Sequence, residues 1–193
     1  MSLERYANDQ YVIRRKIFSF FGAAFHIYDP QGNVVFYSKQ KAFKLKEDIR
    51  VFASERMVDE VLSIKARNVV DFSAAYDVVD STNGEKVGAL RRKGWSSLVR
   101  DEWQVLDTAD NVIGSIKEDS MGMALLRRFL SNLVPQKFHC EADGQTVWTF
   151  QQNFNPFVLR ITLDFSMDTG NVLDRRLGIA AAILLTAIEG RQE

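Results

Sequence analysis

Short runs of cations are the residues of this sequence best placed to do chemistry. Arg14-Arg15-Lys16, Lys39 to Lys46, Arg91-Arg92-Lys93 and Arg127-Arg128 form basic clusters. Cations grouped in this way attract phosphate-bearing surfaces. Arg91, Arg92 and Lys93 close a predicted strand and run into Gly94-Trp95, a turn that would hold the charges beside an aromatic ring suited to a lipid interface. The plainer reading, and the favoured one, is a solvated rim whose cations balance nearby carboxylates such as Asp101 and Glu102.

Catalytic patterns are missing. The sequence has no GxSxG elbow, Walker A loop, GxGxxG fingerprint or HExxH pair, which argues against the common enzyme classes. His26 and His139 each follow a phenylalanine in a hydrophobic strand pattern, and placement in the sheet explains both better than metal binding or base catalysis. Cys140 adjoins His139, but adjacent strand residues point to opposite faces, so the two cannot form a local thiolate pair. Cys140 reads as a small core residue and, being the only cysteine, forms no intramolecular disulfide.

Positioning these groups requires a framework, and the sequence describes one. At 193 residues, with three prolines and no low-complexity tract, residues 1–193 read as a single domain. Its 25 basic and 25 acidic residues cancel, so no net field attracts nucleic acid, and any electrostatic partner must use a local patch. The N-terminus has no apolar segment of the secretory kind, and the expectation is a cytoplasmic protein.

β-rich stretches flanking a turn built on Asp, Asn or Gly recur at Phe25–Ser38, Tyr76–Leu90, Trp103–Ile116 and Phe138–Phe150. Each reads as a hairpin, with Asp able to bond the following backbone and Gly or Asn able to take positive φ. Tyr11–Ile17, Ala42–Ala53, Asp59–Lys65 and Pro156–Phe165 add further strands, for about twelve in all. Met121–Leu130 reads as a short surface helix.

The chain then changes character. Leu177 to Ile188 reads LGIAAAILLTAI, apolar all round except at Thr186, so Leu177, Ile179, Ile183, Leu184 and Ile188 call for burial on every side. Its twelve residues span only about 18 Å, short of the roughly 30 Å hydrocarbon core of a membrane, and charged residues bracket it. A barrel of about twelve strands is too wide for strand side chains alone to fill. The expected fold is therefore mainly β: a closed antiparallel barrel around a buried C-terminal helix. Gly178, Ala182 and Thr186 make a small-residue stripe that permits close backbone approach.

Tyr11–Phe52, Val87–Gly114 and Phe157–Glu189, taken in this order and ending in a wholly apolar helix, resemble the LURP-one-related proteins and the phospholipid scramblases of the tubby-like superfamily. The resemblance implies a tubby-like barrel of about a dozen strands around a central helix. It also implies a non-enzymatic binding or adaptor module, without cofactor, that touches anionic phospholipid such as phosphoinositide reversibly or engages an unidentified protein partner. Arg91, Arg92, Lys93, Trp95, Arg127 and Arg128 are the candidate headgroup contacts. Scramblases also suggest a membrane-inserted translocator as the alternative, with Val172–Ile188 as its span, and a calcium site before the final helix, for which Asp164 and Asp168 are the candidates with Asp174 nearby. The spacing lacks the Gly and bidentate Glu of an EF-hand loop, and Asn171 as N-cap with Asp174 three residues on is the stronger reading of that stretch. No proline-rich N-terminal region or palmitoylation cluster is present to supply a second membrane signal.

Overall fold

The computed structural model describes residues 4–16, 23–40, 48–67, 75–93, 102–119, 136–153 and 158–189. They form a closed barrel of twelve antiparallel strands. The strands are β1 (Gln10–Lys16), β2 (Ala23–Tyr28), β3 (Val34–Gln40), β4 (Asp48–Phe52), β5 (Glu60–Ala66) and β6 (Ala75–Asp80), then β7 (Lys86–Arg92), β8 (Glu102–Leu106), β9 (Val112–Glu118), β10 (Lys137–Ala142), β11 (Gln145–Asn153) and β12 (Val158–Asp164). Each strand pairs with its neighbours in sequence, and β1 closes on β12 from Gln10 opposite Asp164 to Lys16 opposite Val158. The β3–β4 seam is the thinnest among the described residues, joined at Tyr37 opposite Phe52.

All four hairpins form where the sequence places them. At the first, Asn33 donates its backbone N–H to Asp29 Oδ1 at 2.8 Å, and Gly32 takes φ +86°. At Trp103–Ile116, Asp107 accepts from the backbone of Ala109 and Asn111, and Asp110 rather than Asn111 adopts positive φ. The Phe138–Phe150 turn is the tight two-residue kind: Asp143 and Gly144 both have positive φ, which matches the twist of the flanking strands. The expected helix at Met121–Leu130 lies outside the described residues.

The barrel is filled by helix α1 (Arg175–Glu189). Leu177, Ile179, Ala180, Ala181, Ala182, Ile183, Leu184, Leu185 and Ala187 are all buried, in one cluster with inward residues such as Phe25, Ile64, Val78, Leu90, Val105 and Trp148. The side chain of Ile188 lies outside the described residues. A Cβ added at Gly178 would sit 2.5 Å from the Phe165 ring, so the glycine of the small stripe makes room for that ring. Thr186, the polar exception, returns its hydroxyl to the Ala182 carbonyl at 2.5 Å and thereby stays buried without an outside partner.

One expectation at the helix start is corrected. The N-cap is Asp174, whose Oδ1 accepts the Arg176 backbone N–H at 2.9 Å; Asn171 lies outside the helix in the left-handed region at φ +48°. A carboxylate one residue before α1 also complements the positive end of the helix dipole.

Candidate anion-binding surface

Antiparallel order sends successive connections to alternate ends of the barrel. The hairpin end holds the turns 29–33, 53–59, 81–85, 107–111 and 143–144, together with 165–174, which leads into α1. These segments carry Asp29, Glu55, Asp59, Glu85, Asp107, Asp110, Asp143, Asp168 and Asp174 against a single cation, Arg56. The far end gathers the last residues of β1, β3, β5, β7, β9 and β11, where Arg14, Arg15, Lys39, Lys65, Arg91 and Arg92 sit. The separation is one of degree: among the described residues Asp48, Glu102, Glu118 and Asp119 also lie at the far end, and Arg175 and Arg176 open the final helix at the hairpin end.

At the far end, strand alternation separates the cations that are contiguous in sequence. Arg92 lies opposite Trp103, which is buried, so it faces the barrel interior; Arg91 lies opposite Gln104 and faces outward. Arg91 donates to Gln104 Oε1 at 2.7 and 2.9 Å, and Lys93 pairs with Glu102 at 3.0 Å. The run Arg91 to Lys93 is thus split between two faces and partly neutralised, as the solvated-rim reading required for Glu102. Trp95, Arg127 and Arg128, and the lysines from Lys41 to Lys46, lie outside the described residues.

The same alternation divides Arg14-Arg15-Lys16. Arg15 lies opposite Phe25 and Leu159 and turns inward, where its guanidinium stands 5.8 Å from the Phe25 ring and donates to the Thr186 carbonyl at 3.4 Å. A cation at these last-turn carbonyls complements the negative end of the helix dipole. Arg14 points outward and is exposed. Its guanidinium lies 4.8 Å from the centre of the Tyr28 ring, a cation–π contact.

Around the outer wall, cations and carboxylates are matched unevenly. From β4 to β10, Arg50 pairs with Asp48 and Glu60, Arg67 with Asp77 and Asp110, Lys86 with Asp110, Lys117 with Glu141 and Lys137 with Asp119. Hydrogen bonds from Arg67 and Lys86 hold the Asp110 carboxyl well below the usual carboxylate range. His139 sits in the same matched region, bonded to Asp119 and close to Glu141. On β11, β12, β1, β2 and β3 the only carboxylate is Asp164, at the hairpin end. That wall carries Arg14, Lys39 and Arg160 exposed near the far end. Sequence reading passed over Arg160 because it is a lone arginine in an apolar strand. Only the β1–β12 register reveals its neighbour: Arg160 lies directly opposite Arg14.

The acidic candidates are engaged in turns. Asp168, 3% exposed, accepts the backbone N–H groups of Val172 and Leu173 at 2.8 and 3.3 Å. Asp164 accepts from Gln10 Nε2 and the Ser166 backbone, each at 2.8 Å. Burial raises the Asp164 pKa, but bonds from Ser166 and Gln10 outweigh it and leave the carboxyl below its ordinary value. Among the described residues, no group of three or more His, Cys, Asp or Glu side chains could hold a metal. Cys140 is fully buried, and burial pushes its thiol pKa far up, which suits a core residue.

The LURP-one-related family model matches residues 34–186. A protein of Arabidopsis thaliana solved by X-ray crystallography is similar over 98% of both chains, with a TM-score of 0.55 and 12% sequence identity, a likeness of fold. No curated protein matches significantly. With barrel, threaded helix and family match together, the chain belongs to the LURP-one-related family.

Proposed function

We propose that the protein is a non-enzymatic binding module that docks reversibly on anionic phospholipid surfaces through the far end of the barrel and the wall β3–β2–β1–β12. The observation that carries this reading is the set of exposed cations Arg14, Lys39 and Arg160 on a wall whose strands hold no carboxylate until Asp164. A cation beside an anionic bilayer contributes about 1 kcal/mol, so three act together as a peripheral anchor that salt weakens. A peripheral cytoplasmic location at a membrane follows from it, with no cofactor and no nucleic acid among the partners. A protein partner remains compatible with the acidic hairpin end.

A translocator spanning the bilayer with Val172–Ile188 is the competing reading. Helix α1 has 15 residues, roughly 22 Å at 1.5 Å each, and its side chains pack inside the barrel. Among the described residues no helix is long and apolar enough to cross a membrane. Spanning would require α1 to leave the core it fills.

Co-sedimentation decides the matter. The full chain is expected to pellet with phosphatidylserine vesicles at low salt, to be released substantially at physiological salt, and to ignore phosphatidylcholine vesicles. Absence of pelleting with anionic vesicles, or equal pelleting with neutral ones, overturns the proposal.

A further inference from the structure

Asn83-Gly84 is the one Asn-Gly step in the chain, and both residues stand exposed in the turn between β6 and β7. Such a step carries its own chemistry. Glycine has no side chain to shield its nitrogen, so that nitrogen can reach the carboxamide carbon of the asparagine before it. At Gly84 nothing lies within 4 Å of where a Cβ would stand. In the folded turn, however, both reacting groups are committed elsewhere. The Gly84 N–H donates to the Asp80 carbonyl at 2.8 Å. The Asn83 carboxamide is tied at both ends to Glu85: Oδ1 accepts the Glu85 backbone N–H at 3.0 Å, and Nδ2 donates to the Glu85 carboxylate at 2.8 Å. At the root of the turn, the Asp80 carboxylate accepts from the Thr82 backbone at 2.9 Å and from Arg176 of α1 at 2.7 Å. The restraint on Asn83 therefore runs through Asp80 to the first turn of the buried helix.

We propose that Asn83 is a deamidation site restrained by the Asp80–Arg176 clamp, so that it converts only when the turn opens. On opening, the Gly84 nitrogen bonds to Asn83 Cγ, the Cγ–Nδ2 bond breaks, and Nδ2 leaves as ammonia with the proton that Gly84 gives up. Water then opens the cyclic imide, its hydroxyl going to one carbonyl carbon and its proton to the ring nitrogen, which leaves aspartate or isoaspartate. Isoaspartate lengthens the main chain by a methylene and moves the Gly84 N–H away from the Asp80 carbonyl. Aspartate replaces the donor Nδ2 with a carboxylate oxygen facing the Glu85 carboxylate. Both products weaken the turn, so a transient loosening where α1 meets the wall becomes a permanent one.

Peptide mapping by mass spectrometry tests this on the full chain held in mildly alkaline buffer, with and without unfolding urea. Asn83 converts in urea, and at least about tenfold more slowly in the folded chain, where only the population of open turns reacts. Arg176→Gln speeds conversion of the folded chain about threefold or more by removing a hydrogen bond to Asp80. Glu85→Ala, at an exposed position, also speeds it by freeing the carboxamide. Ile13→Val, which thins the buried core on β1, leaves the rate as in wild type, because the opening is local. The converted chain unfolds at a lower thermal midpoint than the unconverted one. Equal rates in the folded and unfolded chain, or no conversion in either folded wild type or Arg176→Gln, overturns the proposal. So does acceleration by Ile13→Val equal to that by Arg176→Gln, or an unchanged midpoint after conversion.

Discussion

At the scale of single residues, one sharp constraint is at Gly178. Its missing side chain leaves room for the Phe165 ring, itself buried and edge-on to Trp148 at 5.9 Å between centres. Gly178→Val should cost on the order of 1–3 kcal/mol through overpacking, read as a lowered denaturant midpoint with an unchanged slope. A second constraint joins the helix start to the wall. Arg176 reaches Asp80 on β6 at 2.7 Å and Asp174 at 2.6 Å. Burial raises the Asp80 pKa, but hydrogen bonds from Thr82 and Arg176 more than offset it, so the folded value lies below the ordinary 3.8. Stability from such a depressed carboxyl is present above the unfolded pKa and is lost as pH falls through the folded one. Unfolding free energy should therefore decline below about pH 4, and Asp80→Asn should flatten that decline while lowering stability at neutral pH by about 1–3 kcal/mol. An unchanged acid limb in the variant would contradict the account. Neither constraint was legible locally, because Gly178 meets β11 and the segment after β12, and Asp80 meets Arg176, only once the barrel closes.

At the scale of elements, the alternation and turn chemistry made the hairpins readable, since both are local. The boundary of α1 was less so: Asn171 and Asp174 are both plausible caps by residue type, and tertiary geometry chose Asp174 by placing Asn171 in a left-handed turn. Asp174→Ala should lower stability by about 1 kcal/mol as the Arg176 N–H loses its acceptor. The helix itself was legible as buried because it has no wet face. Leu184 is 0% exposed at its middle, so Leu184→Asp puts an unpaired charge into the core and should abolish cooperative unfolding in circular dichroism. A folded Leu184→Asp protein would mean that α1 does not fill the barrel.

At the scale of the whole molecule, composition concealed what the fold arranges. Equal numbers of acids and bases give no net field, while topology sends most turn carboxylates to one end and leaves unmatched cations on one wall of the other. Two of the clusters visible in sequence are divided by strand alternation, which turns Arg15 and Arg92 inward, while the outward pair Arg14 and Arg160 comes from opposite ends of the chain. The register that unites them is set by barrel closure, which no local pattern encodes. The most direct test of anionic-surface docking is the binding isotherm on vesicles of graded phosphatidylserine content, comparing wild type with the combined Arg14→Gln, Lys39→Gln and Arg160→Gln variant and with Arg56→Gln at the acidic end. At about 1 kcal/mol per cation, the combined variant should bind on the order of 100-fold more weakly, while Arg56→Gln matches wild type. Equal affinity for all three proteins would contradict docking through this wall.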